Sequence, residues 1–231
     1  MASLPRSRRE QQQQTRDALV VAARQAFAEH GYHAANLEAI AREAGFSKGA
    51  VYSNFDGKAD LFLAVIDANV EIAFADGGWN ITTDDPIEAE HGEGLSAAIE
   101  GFALATLEFI ATAARDSRLS AEMGKRMDLL VDGYGAVATQ SGSADDVLPT
   151  AELGALLAAL DQGAALLSLG GSRAIDQRVL RTGMRRILTA GPLEDTPGGR
   201  GEPAVHDAAV RQRIRASIMT QDVSPTAESY G

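Results

Sequence analysis

Residues 36–62 read NLEAIAREAGFSKGAVYSNFDGKADLF, and the fold turns on this stretch. Asn36 is a good N-cap for a helix running to about Ala44, because its side-chain oxygen accepts an otherwise unpaired backbone N–H. Leu37, Ile40, Ala41 and Ala44 recur at helical spacing and give that helix one apolar face. Gly45 ends it, since glycine takes a left-handed backbone at almost no cost. Phe46 follows as an apolar pin between two helices, and Ser47 caps the second. In that second helix, from Lys48 to Phe55, Val51 and Phe55 lie four apart and face inward. Lys48, Gly49, Tyr52, Ser53 and Asn54 are left for the other side. Small residues there let the backbone come close to a groove, while hydroxyl, amide and amine groups suit base edges and phosphates. Asp56 and Gly57 break the helix, and Lys58 opens a longer one near its N-terminal end, a place that suits a phosphate oxygen. The spacing predicts a helix-turn-helix whose second helix enters a DNA major groove. A plain helical hairpin with a glycine corner has the same spacing, so spacing alone leaves both open.

The wider stretch 15–66 separates them. It contains AARQAFAEHGYHAANLEAIAREAGFSKGAVYSNFDGKADLFLAVI, with a nearly complete IA-x-x-AG-x-SKGA-x-Y-x-x-F-x-x-K-x-x-LF pattern. This resembles the DNA-binding domain of the tetracycline-repressor (TetR) family of bacterial transcription regulators. Asn36 stands where that family usually has threonine, and asparagine still caps and still donates to a phosphate. Ser53 and Asn54 stand where aromatic or histidine residues are more common. The resemblance implies an all-α chain: a three-helix helix-turn-helix domain, then a helical bundle for ligand binding and dimerisation. Lys48, Gly49, Ala50 and Ser53 are expected at bases or in close groove contact. Asn36, Ser47, Tyr52, Asn54 and Lys58 are expected at phosphates.

A net charge of −11 looks wrong for a DNA binder until the chain is divided. Residues 1–70 hold eight Lys/Arg and eight Asp/Glu, while the remainder holds 13 and 24 and so carries the whole excess. Arg6, Arg8, Arg9 and Arg16 further concentrate positive charge at the expected DNA end. An acidic remainder is repelled by DNA and favours one docking orientation. It also argues against nonspecific coating of DNA. The chain has no cysteine, which excludes disulfides and thiolate metal sites. The start, MASLPRSRREQQQQ, has no apolar run after its basic residues and does not read as a secretory signal. Asp161 and Gln162 interrupt the most apolar segment, 153–171, which therefore reads as a buried bundle helix and not a membrane span. A cytoplasmic protein without membrane partners is expected.

Outward from the motif, residues 1–14 read as a disordered basic and Gln-rich arm, able to reach an adjacent minor groove or simply solvated. A first helix is expected from Arg16 to His30, stopped by Gly31, with Leu19, Ala22, Ala23, Ala26 and Phe27 as its buried stripe. The helix from Lys58 to about Ala75 is too long for a small domain and links it to the next. Residues 76–94 form a Gly- and Asp-rich loop whose acids lack a fixed ligand spacing, so no metal is expected. Helices are expected at 95–115, 118–139, 150–169 and 175–190. This gives a DNA-binding domain at 15–66, a ligand-binding and dimerisation domain at 67–190, and a flexible tail at 191–231. Leu153, Leu156, Leu157, Leu160, Ala164, Leu167, Val179, Ile187 and Leu188 offer either a dimer surface or the monomer's own core. The resemblance favours a homodimer through the last two helices. A two-fold dimer sets its recognition helices roughly 34–36 Å apart.

The family resemblance further implies an unknown small-molecule effector. Phe74, Trp79, Phe102, Thr106, Phe109, Met123, Met127 and Tyr134 are the candidate lining of its pocket, although an aromatic and methionine stripe also makes ordinary core. G-x-S-x-G, P-loop and H-E-x-x-H motifs are absent, and no histidine has a catalytic partner in sequence, so neither an enzyme nor a cofactor is expected. The expected function is a ligand-responsive regulator, most simply a repressor, that binds a palindromic double-stranded operator. The alternative is a constitutive or architectural DNA-binding protein without a sensor.

Overall fold

Every regular element among the described residues is a helix, because each stretch of 3.6-residue periodicity ends at a glycine, a cap or a proline before strand alternation can begin. The computed structural model describes residues 8–75, 93–141 and 148–189. The elements are α1 (Arg8–Ala34), α2 (Leu37–Glu43), α3 (Lys48–Asn54), α4 (Lys58–Phe74), α5 (Glu93–Ala113), α6 (Ser117–Gln140), α7 (Thr150–Leu169) and α8 (Gln177–Leu188). The chain divides into a unit spanning Met1–Leu193 and a second spanning Glu194–Gly231. Residues 76–92 of the expected acidic loop, and the whole expected tail, lie outside the described residues, while residues 93–94 already belong to α5.

The local signals behave as capping chemistry requires. Asn36 Oδ1 accepts the Glu38 N–H at 2.8 Å, and Gly45 takes φ 79°. Asp116 and Asp176 cap α6 and α8 through their carboxylates. Gly31, at φ 76° and ψ 173°, ends the straight part of α1 at an elbow that continues to Ala34. Two expectations change. Helix α1 begins at Arg8, so residues 8–14 are helical where a disordered arm was expected; Gln and Arg are good helix formers, and Gln13 donates to Asp17 one turn on. Phe46 remains 38% exposed instead of pinning α2 to α3, a role taken by Ile40, Ala41 and Val51, all buried.

Two apolar cores organise the rest. The first joins α1–α4 to α5 and the start of α6 around Leu19, Phe27, Ile40, Val51, Leu61, Phe62, Phe109 and Met123. Phe62 is its aromatic centre, 4.8 Å from Phe27, 5.2 Å from Tyr32 and 4.8 Å from Phe109, ring centre to ring centre. Helix α1 packs more extensively on α5 than on its own helix-turn-helix neighbours. Gly101 makes this possible, because its α-carbon sits so close to the Ala28 carbonyl that any side chain would collide with it. The second core unites α6, α7 and α8 through Tyr134, Val137, Leu153, Leu157, Met184 and Leu188. Here Gly154 meets Gly135, and a Cβ on Gly154 would lie 2.5 Å from the Val131 carbonyl. The leucines that allowed two readings divide between them. Leu153, Leu157, Ala164 and Leu188 are buried in the monomer, while Leu156, Leu167 and Val179 are exposed, together with Leu166 at 55%.

Candidate nucleic-acid interface

The outer face of α3 is open, polar and held from behind. Val51 and Phe55 are buried beneath it. Ser47, Lys48, Gly49, Tyr52 and Ser53 are exposed, and Ala50 is half-buried between them. A Cβ placed on Gly49 would find nothing nearer than Ser47 Oγ at 3.6 Å, so the backbone can approach a flat partner closely. Ser47 stands at the N-cap in extended backbone, but its hydroxyl makes no cap bond. Tyr52 is 57% exposed, an aromatic left on a polar face. Ser53 Oγ and Asn54 Nδ2 both donate to the Ala50 carbonyl, at 3.0 and 2.8 Å. Asn36 is exposed and already uses its side-chain oxygen as a cap, which leaves its amide protons for a phosphate.

Two basic side chains serve purposes that the sequence did not reveal. Arg16 belongs to α1 and donates to the Asn54 carbonyl at 2.7 Å, with its guanidinium 4.2 Å above the Phe55 ring. It fixes the C-terminal end of α3, where a cation is favoured by the helix dipole. Lys58, expected at a phosphate, donates to the His33 and Ala35 carbonyls at 2.7 and 3.2 Å and lies over the Tyr32 ring. Burial lowers its pKa, and nearby Glu108 partly offsets that. Lysine is drawn there because the elbow after Gly31 turns its carbonyls toward α4, and a half-buried carbonyl needs a donor.

The same elbow is gripped from α5. One Glu108 oxygen accepts the His33 N–H at 2.9 Å, and the other lies 2.7 Å from where a Cβ of Gly31 would sit. Glu108, the elbow and Lys58 thus form a chain from α5 to α4 immediately before the N-cap of α2. A second strap crosses from α6: Arg126, 15% exposed, reaches Asp67 at 2.8 Å and Glu122 at 3.1 Å. Hydrogen bonds from Lys125 and then Arg126 hold the Glu122 carboxyl below its usual pKa. Nothing in the sequence marked these partners of Arg16, Glu108 or Arg126, because they lie 38, 75 and 59 residues away.

The candidate effector-pocket residues divide between the two cores. Phe109 and Met123 are buried in the first, with Phe102 and Met127 packed against it. Tyr134 belongs to the second, with Phe74 packed on it at 5.5 Å. The Thr106 hydroxyl bonds back to the Phe102 carbonyl at 2.9 Å. Trp79 lies outside the described residues. Phe102 and Phe109 of α5 thus face α1 and α4. Burial, and then the Asp161 carboxylate bonded to its hydroxyl, raise the Tyr134 pKa.

This geometry defines a helix-turn-helix protein: a short capped helix, a glycine turn and a second helix with an open polar face. The comparison with known proteins agrees with that class. Residues 19–65 match the family described as bacterial regulatory proteins, tetR family. Over 101 residues the chain is 36% identical to the HTH-type transcriptional activator FasR of Mycolicibacterium smegmatis, covering 43% of this chain and 41% of that protein. Over 53 residues it is 42% identical to the HTH-type transcriptional repressor BepR of Brucella suis, covering 23% and 25%. The chain thus spans about two fifths or less of the length of these relatives, whose names are those of regulators and not of enzymes. The crystal structure of a TetR-family regulator from Rhodococcus sp. shares the fold, with a TM-score of 0.55 at 19% identity over 74% of this chain and 95% of that one.

Proposed function

We propose that the chain is a transcriptional regulator that reads a palindromic operator as a homodimer through α3 and lets go when a small molecule binds its helical bundle. The observation that carries the DNA-binding half is the rigidly backed polar face of α3. Val51 and Phe55 seat it, Arg16 fixes its end, and Lys48, Gly49, Ala50 and Ser53 face the bases. Asn36, Ser47, Tyr52 and Asn54 flank that face as phosphate contacts, while Lys58 supports the elbow behind them. Residues 15–66 are the DNA-binding part and 67–190 the effector and dimerisation part, even though one apolar core spans the boundary. The exposed Leu156, Leu166, Leu167 and Val179 are the dimer surface, since a monomer rarely leaves such a patch uncovered. Repression is the simplest output: a protein on an operator blocks transcription without needing a further contact. The cytoplasm is the matching compartment.

The sensor half is supported by the Glu108 and Arg126 links, which tie the elbow and α4 to helices of the bundle. Linkage then requires the effector to weaken DNA binding by the factor by which DNA weakens effector binding. A constitutive DNA-binding protein is the rival reading, and the acidic remainder of the chain speaks against its architectural form. Selection of binding sites from genomic fragments with the purified protein separates the readings. A short palindrome that is lost on Leu166→Glu, and released by a compound from a metabolite panel, supports the proposal. Recovery of sequences without symmetry sinks the dimeric-operator reading. A palindrome that no compound releases leaves the constitutive regulator.

A further inference from the structure

The DNA-facing surface carries one carboxylate that a DNA binder has no evident use for. Glu38 lies in the first turn of α2, exposed, with its main-chain N–H fixed by the Asn36 cap. Its Oε2 sits 3.6 Å from the ammonium of Lys48, the first residue of α3. Arg42 is one turn along the same helix and is the usual partner for an acid at that spacing. Glu38 nevertheless pairs across the turn with the lysine of the recognition helix.

Both members are highly exposed, so the pair is weak and a competing anion can displace the carboxylate. An unpaired lysine is a flexible point charge that grips any phosphate within reach, whatever the sequence. A lysine beside a carboxylate has less attraction to give to a phosphate. Its remaining donors still reach base acceptors such as guanine O6 and N7. Discrimination is a difference between affinities, so weakening the wrong complex serves it as well as strengthening the right one.

Resting on the reading that α3 meets DNA, we propose that Glu38 is a specificity-determining residue: its carboxylate pairs with Lys48 and withholds that lysine from the phosphates of random-sequence DNA. The loss of DNA affinity is the means by which the surface favours its own site. Glu38→Gln is the clean probe, because it keeps the side chain's shape, and the Asn36 cap uses only the main chain of residue 38.

The experiment measures binding of the full chain to a random-sequence duplex over a range of salt. It uses the wild type, Glu38→Gln, Lys48→Ala and the double variant, with site selection run in parallel. Glu38→Gln is expected to tighten random-duplex binding about three- to ten-fold and to steepen the salt dependence by close to one counterion. Its selected sites should be less uniform than those of the wild type. In the Lys48→Ala background the same substitution should do almost nothing. Equal tightening in both backgrounds overturns the proposal, since Glu38 would then repel DNA without acting through Lys48. An unchanged Glu38→Gln overturns it as well. If Lys48→Ala alters neither random binding nor the selected sites, then α3 does not face DNA through Lys48, and that failure is visible separately.

Discussion

The two cores of this chain are built by opposite means. The first is aromatic: Phe27, Tyr32, Phe62, Phe102 and Phe109 make a network of ring contacts through which α5 becomes part of the helix-turn-helix. The second is made by subtraction. Gly135 and Gly154 remove side chains so that α6 and α7 touch along their backbones, and Tyr134, Leu157, Met184 and Leu188 fill what is left. Between them run the continuous helix α6, with Met123 in the first core and Tyr134 in the second, and the contact of Phe74 with Tyr134. The difference teaches where this molecule can flex. A ring network of large, interlocked surfaces resists partial opening, whereas the junction is built on one shared helix and one aromatic contact and bends at less cost. A ligand-driven change is thus expected between the cores and not within the first.

The comparison is broken most severely by Phe62→Ala. It should cost about 3–5 kcal/mol in urea unfolding, because the cavity lies where four other rings meet. A loss under 1 kcal/mol would show that the ring network is not what joins α5 to the DNA-binding helices. Gly154→Val attacks the second core and should cost about 2–3 kcal/mol, since the added carbons meet Val131 and Gly135 backbone. Its α2–α3 segment should keep wild-type hydrogen-exchange protection; loss of protection there as well would mean that the two cores unfold as one. Arg16→Ala should weaken operator binding by about 1.5–2 kcal/mol through a looser α3. Its salt slope should stay unchanged, because Arg16 is committed to the Asn54 carbonyl; a flatter slope would make it a phosphate contact after all. Tyr134→Phe is the mildest change, about 1 kcal/mol in thermal unfolding, as it removes one hydroxyl bonded to Asp161.

What could be read from the sequence was what the chain decides locally. The boundaries of α2, α3, α4 and α7 follow Asn36, Gly45, Gly57 and Pro149, each acting on its immediate neighbours, and they fall within a residue or so of expectation. The inward residues of α3 follow from spacing alone. Arg8 as the start of α1 was not legible, because a polar Gln run suits helix and coil alike until the rest of the helix extends into it. Nor were the uses of Arg16, Lys58 and Glu108. A long charged side chain can satisfy many partners, and tertiary folding selects which of them comes within reach. Which helix the candidate pocket residues would face was not legible for a related reason. A helical stripe says which residues share a face but not which helix that face meets, and on α5 it meets α1.

The close approach of Gly101 to Ala28 carries a practical consequence for anyone wishing to recombine such proteins. A DNA-reading head cut at residue 66 and grafted onto a foreign bundle would leave the groove along α1 empty. It would also leave Phe62 without its partners on α5. The transplantable piece is therefore discontinuous in sequence: residues 8–66 together with α5. A chimera would need to carry both, or its new bundle would have to offer a glycine at the same crossing.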